Sequence, residues 1–196
     1  DKKMMDILGA IQVESTRDNA KEMFAQYVTT RIAIDATGGQ VSLKQGEVDT
    51  KDSTDPFNID IKKDYRANKP PKGDLAWGNA QALTFPVFEC DKEGEKLYVV
   101  PMVGTGLWGP IWGYVAMQGD MKTIYGATFD HKTETPGLGA EIKEGFFTEK
   151  FAGKTLEDVG PTYFSVVKGG AITNEHSVDG ITGGTITSKG VDEMLN

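Results

Sequence analysis

A chain of 196 residues, 38% hydrophobic and 26% charged, is long enough for one domain with an elaboration, and its composition excludes a wholly disordered or fibrous protein. Its 21 Lys and Arg stand against 29 Asp and Glu, a formal charge of −8, which leaves no broad basic field for a phosphate backbone and argues against nucleic-acid partners. A single Cys and two His rule out an internal disulfide and leave too few soft ligands for a zinc or iron–sulfur site.

Met4, Met5, Ile7, Leu8 and Ile11 fall at helical spacing and predict a short helix over Met4 to Val13. Ser15, Thr16 and Asp18 offer capping oxygens to a second amphipathic helix carrying Ala20, Met23, Phe24, Tyr27 and Val28. Thr30 to Asp35 and Val41 to Leu43 flank Gly38-Gly39 and read as a hairpin. From Gln45 to Gly73 the chain turns polar and Asp-rich, an elaborated and partly mobile connection in which Phe57, Ile59 and Ile61 alternate like an edge strand. The Asp spacing there does not match the ordered ligands and central Gly of an EF-hand loop, so a solvated acidic loop is the better reading.

Leu83 to Phe88, Lys96 to Val103, Ile111 to Met117 and Thr123 to Phe129 are closely spaced strand signals separated by turns, a pattern that favours antiparallel pairing. Phe146, Phe147 and Phe151 suggest a brief helix, Phe164 to Val167 another strand, and Val191, Met194 and Leu195 one face of a final helix. The expected class is α+β, a twisted antiparallel sheet with packed helices. Residues 1–75 are expected to pack helices, hairpin and acidic connection on a core domain formed by 76–196. No apolar run is long enough to span a bilayer, and Asp1-Lys2-Lys3 leads straight into the helical pattern. The expectation is a soluble piece whose anchor or signal lies outside it.

The strongest local feature is Asp179 to Ser188, a Gly- and hydroxyl-rich turn running into the final helix. Adjacent glycines let the backbone turn tightly, and free amides at a helix start favour an anionic group. By physics alone this is either a phosphate seat or a plain turn with a helix cap. Neither the P-loop nor the G-x-G-x-x-G spacing is present.

Asp179 to Thr185 resembles the flavinylation motif D-x-x-[ST]-G-A-T of the FMN-binding domain family, in which the final Thr carries FMN through a phosphoester bond. Thr185 occupies that position, and Gly184 stands where the motif has Ala. His131 to Gly139, preceded by Asp130, is similar, and equal in length, to the H-x-x-E-T-P-G-L-G segment of the same family. Gly104-Thr105-Gly106-Leu107-Trp108 resembles the G-x-G-L-W stretch of the NqrC branch, from the Na⁺-translocating NADH:quinone oxidoreductases, where the Rnf relative shows a Gly-Tyr-like variant. Asp1 to Leu8 is similar to the segment that follows the membrane anchor in that branch. The resemblance covers most of the chain and is weakest over 45–73.

The resemblance implies covalent FMN on Thr185, with cofactor-binding positions at Gly106, Leu107, Trp108, Thr133, Glu134, Thr135, Gly137, Leu138, Asp179, Thr182, Gly183, Gly184, Ile186 and Thr187. It implies an electron carrier that relays between partner subunits of a Na⁺-pumping NADH:quinone oxidoreductase, with no NADH site of its own. The resemblance further implies that a separate Mg²⁺-dependent flavin transferase, recognising Asp179, attaches the cofactor. The expected place is the periplasmic side of a bacterial inner membrane, reached through an anchor outside this chain. The alternatives are a cofactor-free extracytoplasmic interaction module and an Rnf-type electron-transport subunit. A hydrolase lacks a G-x-S-x-G setting.

Residue by residue, Leu107 and Trp108 suit either packing on an isoalloxazine face or the core, with Trp108 expected to be partly buried. Glu134 reads equally as a solvated charge, and Thr133 and Thr135 as turn hydrogen-bonders. His131 and His176 are expected to be structural, and Cys90 buried and inert.

Overall fold

A computed structural model describes residues 1–68, 83–157, 162–170 and 174–196. The first apolar stripe folds as α1 (Lys2–Ala10), with Ile7, Leu8 and Ile11 fully buried. The second helix, α2 (Ala20–Tyr27), starts differently from expectation. Asn19 is its N-cap residue, and its Oδ1 accepts the Thr16 amide at 2.7 Å, closing the preceding turn instead of capping the helix.

The hairpin forms as β1 (Val28–Asp35) and β2 (Gln40–Lys44), and the meander as β3 (Thr84–Lys92), β4 (Glu95–Thr105), β5 (Pro110–Met117) and β6 (Ile124–His131). All join one six-stranded sheet in the order β2-β1-β3-β4-β5-β6, with every pair antiparallel. The early hairpin therefore extends the sheet built by the later strands.

Period-2 alternation sends side chains to two separate cores. One face, with Phe88, Leu97, Val99 and Ala116, is covered by α1 and α2. On the other, Ile111, Val115 and Met117 pack with Phe147, Phe151, Val178 and Val191 from the C-terminal third. Aromatic rings knit each core: Phe24 lies 5.4 Å from Phe57 and 6.3 Å from Phe88, and Phe129 lies 5.1 Å from Phe151. Each such buried side chain contributes roughly 1.5–3 kcal/mol. Cys90 is buried among these groups, and burial pushes its thiol up to about 12.

The acidic connection is the main correction to the sequence reading. Phe57, Ile59 and Ile61 do not make an edge strand; the chain forms a 3₁₀ turn over Pro56–Asn58 and then α3 (Ile61–Asn68). Side-chain caps decide this. Asp55 Oδ1 accepts the Phe57 amide at 2.9 Å ahead of Pro56, and Asp60 Oδ1 accepts the Lys62 and Lys63 amides at 3.1 Å. Nor is Asp55 solvated. It is 2% exposed and forms a bidentate pair with Arg31, itself 1% exposed, at 2.9 Å to Nε and 2.8 Å to an Nη. The remaining guanidinium donors reach the Gly46 and Glu47 carbonyls. Residues 69–73, with Pro70-Pro71, and the expected boundary at 75/76 lie outside the described residues.

The C-terminal third contains a 3₁₀ turn over Gly139–Lys143, α4 (Gly145–Thr148) with a second 3₁₀ turn over Glu149–Phe151, and strands β7 (Ser165–Val167) and β8 (Ser177–Asp179). The pairing of β7 with β8 is parallel, a feature not expected from sequence. The final helix, α5 (Thr185–Met194), buries Val191 as its apolar face implies and packs on β4.

Candidate flavin site

The three sequence motifs meet at one end of the sheet. Where β4 turns into β5, the Gly106 amide donates to the Gly109 carbonyl at 2.8 Å, closing a tight loop that turns Leu107 and Trp108 outward. Trp108 is 64% exposed, so the expectation that it is partly core does not hold. The Gly106–Gly109 closure leaves the indole in solvent on the loop between β4 and β5. Thr133 Oγ1 donates to the Trp108 carbonyl at 2.9 Å.

After β6, the chain brings Glu134 beneath this loop. Its Oε1 accepts the Trp108 amide at 2.8 Å, and its Oε2 accepts the Thr187 hydroxyl at 2.5 Å. Glu134 is 5% exposed, which replaces the solvated-charge reading. The Glu134 amide donates to His131 Nδ1 at 3.2 Å, while His176 pairs with Thr155, so both imidazoles make local hydrogen bonds. The Thr135 carbonyl accepts the Leu138 and Ala140 amides, each at 3.1 Å, and Leu138 is left exposed on the turn.

The third wall is the start of α5. Gly183 adopts φ 79°, a left-handed conformation suited to glycine, and leads into Gly184, the N-cap residue, which makes no side-chain cap bond. A Cβ on Gly184 would lie 3.0 Å from the Ile181 Cβ, so glycine suits this tightly packed corner. Thr185 opens the helix and is exposed, as is Ile186; Thr187 and Ser188 are buried.

Together these segments enclose a half-open groove of about 330 Å³, lined by Leu107, Trp108, Glu134, Thr135, Leu138, Gly139, Gly183, Gly184, Thr185, Ile186 and Thr187. Gly139 belongs to this wall and was absent from the expected contacts, although it closes the second motif. Gly106, Thr133, Gly137, Asp179 and Thr182 do not line the groove. Gly106 and Thr133 shape the Trp108 loop; the Gly137 amide donates to Glu141. Asp179 ends β8, where its carbonyl accepts Lys150 Nζ at 3.1 Å. Wider hollows lie along α1 and β6, and between residues 57–62 and Trp112, but neither gathers the motifs.

Close packing of α5 on β4 carries Thr185 to this place. A Cβ on Gly190 would run into the Thr105 carbonyl. In an open helix Gly→Ala stabilises by about 1 kcal/mol, whereas overpacking costs about 1–3 kcal/mol; against a backbone oxygen, overpacking wins. Gly190→Ala is therefore expected to lower the thermal midpoint. A raised midpoint in a circular-dichroism melt would disprove this packing.

Residues 106–196 match the FMN-binding domain family, so the groove lies within a domain of a flavin-binding class. Over 201 residues the chain is 34% identical to the C-subunit of the Na⁺-translocating NADH-quinone reductase of Haemophilus ducreyi, covering 98% of this chain and 74% of that protein. It is 30% identical to the Yersinia pestis C-subunit, over 98% and 72% of the two chains. The crystal structure of the Parabacteroides distasonis C-subunit superimposes with a TM-score of 0.79 at 35% identity, over 99% and 85% of the two chains. That of Shewanella oneidensis NqrC gives 0.77 at 29%, over 100% and 89%. The chain belongs to the NqrC family, the C-subunits of Na⁺-translocating NADH-quinone reductases.

Proposed function

We propose that this chain is the covalent-FMN electron carrier of a Na⁺-pumping NADH:quinone oxidoreductase, with the flavin phosphate esterified to Thr185 Oγ1. The observation that carries the reading is the exposed Thr185 hydroxyl on the wall of an apolar-lipped groove, at a helix start without a side-chain cap. The groove volume is at the low end for ligand sites and suits a partly exposed ring. Exposed Leu107, Trp108, Leu138 and Ile186 offer it apolar and aromatic faces. The α5 amides and helix dipole favour the negative charge that a phosphodiester retains. When bound, FMN supplies the reversible electron transfer, and the protein's part is to hold, orient and shield it.

Thr185 acts as a nucleophile only once, during maturation. Its Oγ1–P bond forms as the pyrophosphate P–O bond of FAD breaks, AMP departs, and the hydroxyl proton is lost. A Mg²⁺-dependent flavin transferase performs this step and reads Asp179. The domain then exchanges electrons with other subunits of the complex on the periplasmic side of the inner membrane, tethered by an anchor. Among the described residues no helix is long and apolar enough to cross a membrane.

Coexpression with a flavin transferase, followed by intact-mass and absorbance measurement, tests attachment; a colourless chain of unmodified mass would favour the cofactor-free alternative. The loaded chain is expected to bleach promptly with dithionite but not with NADH, because it lacks the strand-and-glycine-loop signature of a dinucleotide site. Saturable bleaching by NADH in stopped flow would make it a dehydrogenase in its own right and end the relay assignment.

A further inference from the structure

We propose that Glu134 is a positioning residue for this site: its buried carboxylate joins the Trp108 loop to the first turn of α5 and sets the width of the groove between them. It also engages the Thr187 hydroxyl, leaving Thr185 as the hydroxyl presented at the helix start. The inference rests on the flavin reading for its functional consequence, while the clamp itself stands on geometry.

A carboxylate buried to this degree is costly unless donors meet it. Here they come from two separate segments, the Trp108 amide at 2.8 Å on Oε1 and the Thr187 hydroxyl at 2.5 Å on Oε2. Charge-assisted bonds of this kind are about twice as strong as neutral ones and more geometrically demanding. The slot for the carboxylate is made by missing side chains: a Cβ on Gly106 would lie 2.7 Å from Oε1, and one on Gly139 would lie 2.5 Å from Oε2. Gly106 and Gly139, from the stretches 104–108 and 131–139, thus leave room for Glu134, which holds a threonine two residues beyond the flavinylation motif. His131 Nδ1 fixes the Glu134 backbone from behind.

The same bonds sort the hydroxyls of α5. Thr187 donates to Glu134, and Ser188 Oγ accepts the Ile181 amide at 2.8 Å; both residues are buried. Thr185 is exposed on the groove wall. With the clamp released, the Trp108 loop loses its tie to the helix and the groove loses its fixed span.

Three variants separate positioning from general stability. Glu134→Gln keeps the shape and both bonds, because the amide oxygen accepts the Trp108 N–H and the amide NH₂ donates to a rotated Thr187 hydroxyl. Glu134→Ala removes the clamp, and Thr187→Val removes its α5 arm alone. In the flavin-free chain, amide exchange of Trp108 by NMR is expected to quicken roughly tenfold in Glu134→Ala and to stay within about threefold of wild type in Glu134→Gln. After coexpression with the transferase, flavin per chain is expected to fall several-fold in Glu134→Ala and Thr187→Val, and to recover in Glu134→Gln. If Glu134→Ala does not fold, Thr187→Val and Glu134→Gln carry the comparison. Unchanged Trp108 exchange in a folded Glu134→Ala, or wild-type loading in the clamp-breaking variants, overturns the proposal. A wild-type chain that takes up no flavin sinks the flavin reading instead, and the exchange measurement still decides the clamp.

Discussion

Thr185→Ala is expected to abolish covalent flavin completely while leaving the fold and its thermal midpoint nearly unchanged. The side chain is exposed at the first position of α5, and Gly184, one residue earlier, is the N-cap residue. Losing a hydroxyl there costs on the order of 1 kcal/mol even if it contributes to capping. The chemical loss, by contrast, is total, because a methyl group cannot form a phosphoester. Neighbouring hydroxyls are not expected to substitute. Thr187 and Ser188 are buried and hydrogen-bonded, and Thr182 does not line the groove. Peptide mapping of the coexpressed variant is the check, and flavin recovered on any peptide of Thr185→Ala would show that another hydroxyl is the acceptor.

The largest stability effect is expected at Arg31, far from the groove. Arg31→Met keeps the aliphatic stem but leaves Asp55, 2% exposed, as a buried acid without its bidentate partner. Breaking a buried pair from one side costs about 3–5 kcal/mol, which for a chain of this size lowers the midpoint by roughly 6–20 °C. The pH dependence has a definite sign. Burial alone would raise the Asp55 carboxyl, but hydrogen bonds from Arg31 and the Phe57 amide outweigh it and hold the group below its ordinary value. A carboxyl depressed in the folded state contributes stability above its unfolded value of about 3.9 and loses that contribution as the pH falls through the folded value. The gap between wild type and Arg31→Met in urea unfolding should therefore be full at neutral pH and shrink in acid. A gap below about 1 kcal/mol at neutral pH would mean that the pair is not the structural tie described here.

Much of this architecture is legible without coordinates because it rests on local periodicity. The 3.6-residue stripes of α1 and α2 and the closely spaced alternating runs of β3 to β6 need only a face to bury. The stretch from Asp179 to Ser188 is also visible as a turn entering a helix, since three glycines, two of them adjacent, and a hydroxyl cluster favour a tight turn with a cap. What sequence reading missed depends on partners distant in the chain. Phe57, Ile59 and Ile61 alternate like a strand, yet Asp55 and Asp60 capture amides two and three residues on, and Phe57 is drawn into the core beside Phe24 and Phe88. Asp55 looks like one more acid in a solvated loop until Arg31, 24 residues away, meets it. Trp108 looks partly buried until the Gly106–Gly109 closure turns it to solvent. Glu134 looks like a surface charge until folding places donors from residues 108 and 187 around it. Periodicity determines which face of an element is apolar; whether a charge is solvated or clamped is settled only when remote donors converge, because the cost of burying it depends wholly on them.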